Sequence, residues 1–111
     1  RPGAGPALAA AVGIAAAEVP WGRPLPGALV VNATPLGMEE EALPAGVVEE
    51  ASGLIDLPYG AGPTPAVAEA RRRGLPVAGG LEVWVAQAAL SFRIWTGREA
   101  AVEVMRRAAA G

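Results

Sequence analysis

The segment "LVVNATPLGM", Leu29–Met38, starts as a run of apolar residues and ends on an amide, a hydroxyl and a proline. Asn32 and Thr34 place donors and acceptors where such a run stops, so they can serve a ligand or the backbone of a strand-ending turn. Thr34 before Pro35 favours extended backbone in either case. Two further apolar runs end in a comparable way. One carries Asp56, the only aspartate, and Tyr59, the only tyrosine; the other ends in Gly79-Gly80. A paired glycine gives a tight turn or lets backbone come close to a ligand. Just beyond it, Val83 and Gln87 are one helical turn apart. The Gln87 amide interrupts an apolar stretch and requires a partner, which backbone or a ligand hydroxyl would supply. Tyr59 suits either the orientation of a polyol or the capping of a loop.

The types of residue that are missing restrict the chemistry. The chain has no cysteine, histidine or lysine, and its nine basic residues are all arginine. Disulfides, thiol nucleophiles and a usual zinc ligand set are therefore excluded. The commonest bases that titrate near neutral pH are missing too. Proton transfer would fall to Asp56, Tyr59 or a glutamate, which argues against a self-contained acid–base enzyme. The net charge is -2. Arginines cluster only at Arg71–Arg73 and Arg106-Arg107, within expected helices, so there is no nucleic-acid footprint. No apolar run approaches the roughly 18 residues of a membrane span. "ALAAAVGIAAAEV" lacks the basic leader of a signal peptide.

The elements that must position these residues are short. With 111 residues, 52% of them hydrophobic and 18% charged, the chain is expected to form one globular α/β domain. Pro6–Val12 reads as an Ala-rich helix closed by Gly13, and Ile14–Ala17 as a weak strand candidate. "PWGRPLPG" is a loop. Leu29–Asn32, Leu54–Leu57 and Leu75–Ala78 are expected strands, the first covered on both faces. Glu39–Glu50 is expected to hold a loop and a short helix. Thr64 is a good N-cap with Pro65 in the first helical position, and Gly74 stops that helix. Leu81, Trp84, Val85, Ala88, Phe92 and Trp95 recur at helical spacing up to Gly97, with the aromatic stripe assigned to the core. Arg98–Ala110 follows as an amphipathic helix. Alternating strands and helices favour a parallel sheet, a partial Rossmann-like doubly wound layer with C-terminal helices. Ligands bind such sheets beyond the carboxyl ends of the strands, which puts the three polar strand ends on one rim.

Taken together, "VVNATPLGM", "DLPYGAGPTPAVAEARRRG" and "GGLEVWVAQAALSFRIWTG" resemble the shikimate dehydrogenase family in order and spacing. The resemblance implies the C-terminal part of an NADP-binding domain over residues 1–111. It implies Asn32, Ala33, Thr34, Met38, Gly80 and Val83 on the cofactor side, and Arg1 as the remnant of a loop holding the 2′-phosphate. A guanidinium suits a phosphate through its planar fork of donors. Tyr59 and Gln87 would contact shikimate or 3-dehydroshikimate. The sequence departs from the family at Ala61, where a proline is usual, and at Val83, where a methionine is usual. The family's catalytic lysine and aspartate and its glycine-rich phosphate loop have no counterpart here. The chain is therefore expected to be inactive alone and to need a missing amino-terminal half. A cytoplasmic enzyme is expected, and the sequence leaves the oligomeric state open, a homodimer being one option. A non-catalytic module derived from the same fold is the alternative. Without the neighbouring strand, an open sheet edge and poor solubility are expected.

Overall fold

The structure, a computed structural model, describes residues 3–60 and 62–111. Arg1 and Ala61 lie outside the described residues. Three strands and four helices follow in the order α1 (Ala4–Val12), β1 (Leu29–Asn32), β2 (Gly53–Asp56), α2 (Pro65–Arg72), β3 (Val77–Ala78), α3 (Gly80–Thr96) and α4 (Val102–Ala109). The strands form one parallel sheet in the order β1-β2-β3. Leu29 to Asn32 pair in register with Gly53 to Asp56, so Asn32 and Asp56 are direct neighbours at the carboxyl end.

Side chains alternate across a strand, and the register turns Val30, Leu54 and Val77 to one face. There they meet Val48, Ala66, Val67 and Ala70, which form the core with Leu54. The helix supplying three of those residues, α2, starts as its sequence dictates. Pro65 stands at the first position and the Thr64 side chain accepts a hydrogen bond from Val67 N. Small residues on its inner face let it lie close on the sheet, and Arg71 and Arg72 fall in the last turn, complementing the helix dipole.

The opposite face of the sheet is bare at β1, where Leu29 is 58% and Val31 54% exposed. The strand expected to be covered on both faces is covered on one. Among the described residues no strand pairs with the outer edge of β1. The apolar face and open edge lie together, flanked by exposed Trp21 and Val19.

Several expected elements differ. Ile14–Ala17 forms no strand: it is fully exposed and has no strand partner, and isolated extended chain is not stable. Glu39–Glu50 forms turns without a helix, because Glu40 and Gly46 take left-handed backbone at φ 66° and 86°. The aromatic stripe assigned to the core is not core. Val85 is buried, but Trp84 is 42% and Trp95 82% exposed. The reason is the partner: α3 packs chiefly on the eight-residue α4 along a short seam, where Val85 and Ala88 share a cavity with Met105 and Ala109. That narrow seam leaves the flanks of α3 uncovered. Gly97 at φ 68° ends α3, and α4 begins only at Val102, later than the expected Arg98.

Candidate functional site

The three polar strand ends share one rim, as parallel strands require. Asp56 is its centre and is 0% exposed. Asp56 Oδ1 accepts from Asn32 Nδ2 at 2.7 Å, and Oδ2 accepts a short hydrogen bond from the Thr64 hydroxyl. Asn32, 3% exposed, also donates from Nδ2 to the Leu36 carbonyl at 3.0 Å. Its Oδ1 accepts from Thr34 N at 3.0 Å and from the Thr34 hydroxyl at 2.7 Å. Thr34 Oγ1 in turn accepts from Leu36 N at 3.2 Å. Among the described residues no buried side-chain nitrogen or oxygen lacks a partner.

A continuous network thus runs from the start of α2 through Thr64, Asp56, Asn32 and Thr34 to Leu36. Hydrogen bonds to a charged group contribute about 1.5–3 kcal/mol each, and an orphaned buried partner costs at least as much. With both oxygens engaged and no solvent access, Asp56 is not placed to exchange protons with a ligand. Of the proton-transfer candidates, Tyr59 and Glu82 are exposed and line one cleft beside the rim.

Tyr59 neither projects freely nor closes its own loop. Its ring stacks on Trp84 of α3, with centroids 5.4 Å apart and planes within 10°. The stack ties the β2 end to α3. Gly80 makes the same junction from the backbone. A Cβ there would lie 2.5 Å from the carbonyl oxygens of both Leu57 and Pro58. The lack of a side chain at Gly80 is therefore required by protein backbone. Gly79 differs, since a Cβ would meet the end of the Glu82 side chain at 2.9 Å.

Two shallow clefts flank Tyr59. One, of about 250 Å³, is lined by Ala33, Thr34, Met38, Leu57 and Tyr59 and has no charged wall. The other, of about 280 Å³, runs past Tyr59, Arg71, Gly79, Gly80 and Glu82. The structure therefore brings Ala33, Thr34, Met38 and Tyr59 together, and Tyr59 with Gly80. It leaves Val83 and Gln87 off both clefts. Gln87 is exposed, so its amide has water within reach without a protein partner.

An exposed carboxylate orders the loop that carries Met38. Glu41 Oε2 accepts from Gly37 N at 3.1 Å and Glu39 N at 3.0 Å. Backbone N–H groups, its own first and then those of Gly37 and Glu39, hold the Glu41 carboxyl below the usual glutamate range. The residues present suit one end of a dinucleotide. An uncharged cleft is compatible in shape with a flat ring, whereas no described part of it offers a cradle for phosphate.

The Asp56 hub and the Tyr59–Trp84 stack are not visible from residue spacing. A signal for the hub exists: one aspartate closes a wholly apolar strand, and an N-capping threonine follows eight residues later.

Comparison with known proteins agrees with the motif resemblance. Residues 80–110 match the family model of the shikimate 5′-dehydrogenase C-terminal domain. The chain is 44% identical over 85 residues to a shikimate dehydrogenase (NADP(+)) from Archaeoglobus fulgidus, covering 73% of this chain and 32% of that protein. It is 39% identical over 94 residues to the enzyme of that name from Thermus thermophilus, covering 82% and 36%. Among solved structures, the fold superposes on a shikimate 5-dehydrogenase from Thermus thermophilus in complex with NADP(H) and shikimate. The TM-score is 0.72 at 34% identity, covering 93% of this chain and 40% of that one. The chain spans about a third of the length of the curated relatives it matches.

Proposed function

We propose that this chain works as the C-terminal part of a shikimate dehydrogenase, an oxidoreductase that reduces 3-dehydroshikimate to shikimate with NADPH. One observation carries the reading. The parallel sheet puts the three motif-bearing strand ends on one rim, where Ala33, Thr34 and Met38 face Tyr59 across an uncharged cleft. NADPH, when bound, supplies the hydride. Ala33, Thr34 and Met38 would hold the nicotinamide end in that cleft, and Gly80, which meets Tyr59 in the neighbouring cleft, would lie on its α3 side; Val83, off both clefts, joins the cofactor side on the family resemblance alone. Tyr59 and Gln87 would contact the hydroxyls and carboxylate region of the substrate. Arg1 would serve the 2′-phosphate.

Reduction of the ketone needs a proton for the new hydroxyl oxygen as well as a hydride for the carbon. Asp56 is sealed, and this sequence contains no lysine or histidine. By the family resemblance the proton transfer falls to a lysine and an aspartate of an amino-terminal domain, which have no counterpart in this sequence. Relatives of which this chain covers about a third are consistent with that division.

The test is a coupled assay of the purified 111-residue chain with shikimate and NADP+. The expected result is no shikimate-dependent NADP+ reduction. Measurable turnover would place the proton-transfer group inside this chain and refute the division of labour.

A further inference from the structure

Asn32 stands at the head of the loop that the cofactor reading needs, yet its side chain has nothing left to offer a ligand. An asparagine amide has two donor hydrogens and two acceptor lone pairs. Both donors are used by Asp56 and Leu36, and both lone pairs by the amide and hydroxyl of Thr34. We infer that Asp56 and Asn32 are positioning residues: Asp56, through Asn32, sets the conformation of the Ala33–Leu36 loop that faces the cofactor. The inference rests on the NADP-site reading for its purpose, but not for its geometry.

The direction of control follows from the chemistry of the groups. A carboxylate accepts and does not donate, so Asp56 fixes Asn32 with Nδ2 towards β2. Only in that orientation does Oδ1 meet the two Thr34 donors. The flipped amide would set its NH2 against the Thr34 N–H, donor against donor. Thr34, once held, presents Oγ1 to Leu36 N and closes the turn. Ala33 and Pro35 are thereby left on the outer surface of the loop, where a ligand meets them. The other Asp56 oxygen is tied to Thr64, so the loop on β1 is referenced to β2 and α2 together. Thr64 also stands against the loop directly, because a Cβ on Gly37 would lie 3.1 Å from its side chain.

The experiment uses the full 111-residue chain, labelled with 15N, and compares three variants with the wild type. Asp56→Ala removes the acceptor. Asp56→Asn removes the charge but keeps a carbonyl oxygen that accepts from Asn32 Nδ2, and it leaves the Asn32 contacts to Leu36 and Thr34 untouched. Val48→Ala loosens the core at a residue outside the network. Amide hydrogen exchange at Thr34 and Leu36 is read relative to Val85 in α3. In Asp56→Ala the ratio should rise about tenfold or more, as expected for loss of a charged hydrogen bond. Asp56→Asn should keep it near the wild-type value, and Val48→Ala should leave it unchanged. Loop shifts on addition of NADP+ should need about tenfold more NADP+ in Asp56→Ala, and close to the wild-type amount in Asp56→Asn.

An unchanged exchange ratio in folded Asp56→Ala overturns the inference, as does a folded Asp56→Asn protein whose ratio rises as far as in Asp56→Ala. If Asp56→Ala does not fold, Asp56→Asn decides alone: a near-wild-type ratio supports the inference and one raised about tenfold overturns it. A wild-type chain that shows no response to NADP+ sinks the cofactor reading instead, and the exchange ratio still decides the network.

Discussion

Replacing Gly80 by alanine tests the junction between the β2 end and α3. A Cβ at this position lies 2.5 Å from two carbonyl oxygens and 2.9 Å from the Pro58 carbonyl carbon. The first distance is roughly 1 Å inside the separation at which such atoms attract. All three obstacles are backbone, so no side-chain rotation relieves them, and α3 must move off the Leu57-Pro58 segment. Overpacking of this kind costs about 1–3 kcal/mol. The better helix propensity of alanine offsets at most about 1 kcal/mol, and less at the first helical residue. The expected net effect is a destabilisation of about 1–2 kcal/mol, or roughly 5–15 °C in melting temperature for a domain of this size. Thermal and urea unfolding followed by tryptophan fluorescence measure it, and a changed Trp84 signal would report the shifted stack on Tyr59. Gly79→Ala is the matched control, because its Cβ meets only the movable end of Glu82; it should fall within about 0.5 kcal/mol of wild type. A Gly80→Ala protein as stable as wild type, or two variants equally destabilised, would refute the reasoning.

Thr64→Val removes an N-cap and one partner of the buried Asp56 carboxylate, so the expected loss is about 2–4 kcal/mol in urea unfolding; Thr64→Ser, which keeps the hydroxyl, should recover most of it. The hydrogen bonds from Gly37 and Glu39 to Glu41 depress its carboxyl, so their contribution to loop order is present above the unfolded value and lost as pH falls through the folded one. Amide shifts of Gly37 and Glu39 should titrate with a midpoint below the usual glutamate value of 4.5, and a midpoint at or above it would contradict the contact. Exposed Leu29 and Val31 on an open strand edge should make the isolated chain associate. Val31→Lys should lower the sedimentation-average mass, and a wild-type chain that sediments as a single monomer at all concentrations would count against that.

Local chemistry made much of the fold legible in the sequence. The Thr64-Pro65 start of α2, the αL stops at Gly13 and Gly97 and the apolar run of β1 are decided by a few neighbouring residues, and they stand where the pattern puts them. Elements whose existence depends on a partner were not legible. Ile14–Ala17 had strand composition but nothing to pair with. Trp84 and Trp95 had core spacing, but α3 packs chiefly on the short α4, and the Tyr59 ring covers only part of Trp84. The rim of the site followed from strand order and parallel pairing. Its interior did not, because Asn32, Thr34, Asp56 and Thr64 are joined by contacts across 24 and 8 residues of chain that no spacing rule encodes. Asn32 illustrates the difference: its position at a strand end suggested a ligand contact, whereas its four hydrogen bonds are all internal.

The most direct test of the account is an NMR titration of the 15N-labelled chain with NADP+, with shikimate added afterwards. Amide shifts are expected to concentrate at Ala33–Met38 and Gly80–Val83, with Tyr59 and Gln87 responding to shikimate. Shifts confined to α1 or α4, or none at millimolar NADP+, would contradict the assignment of this rim as one side of the cofactor site.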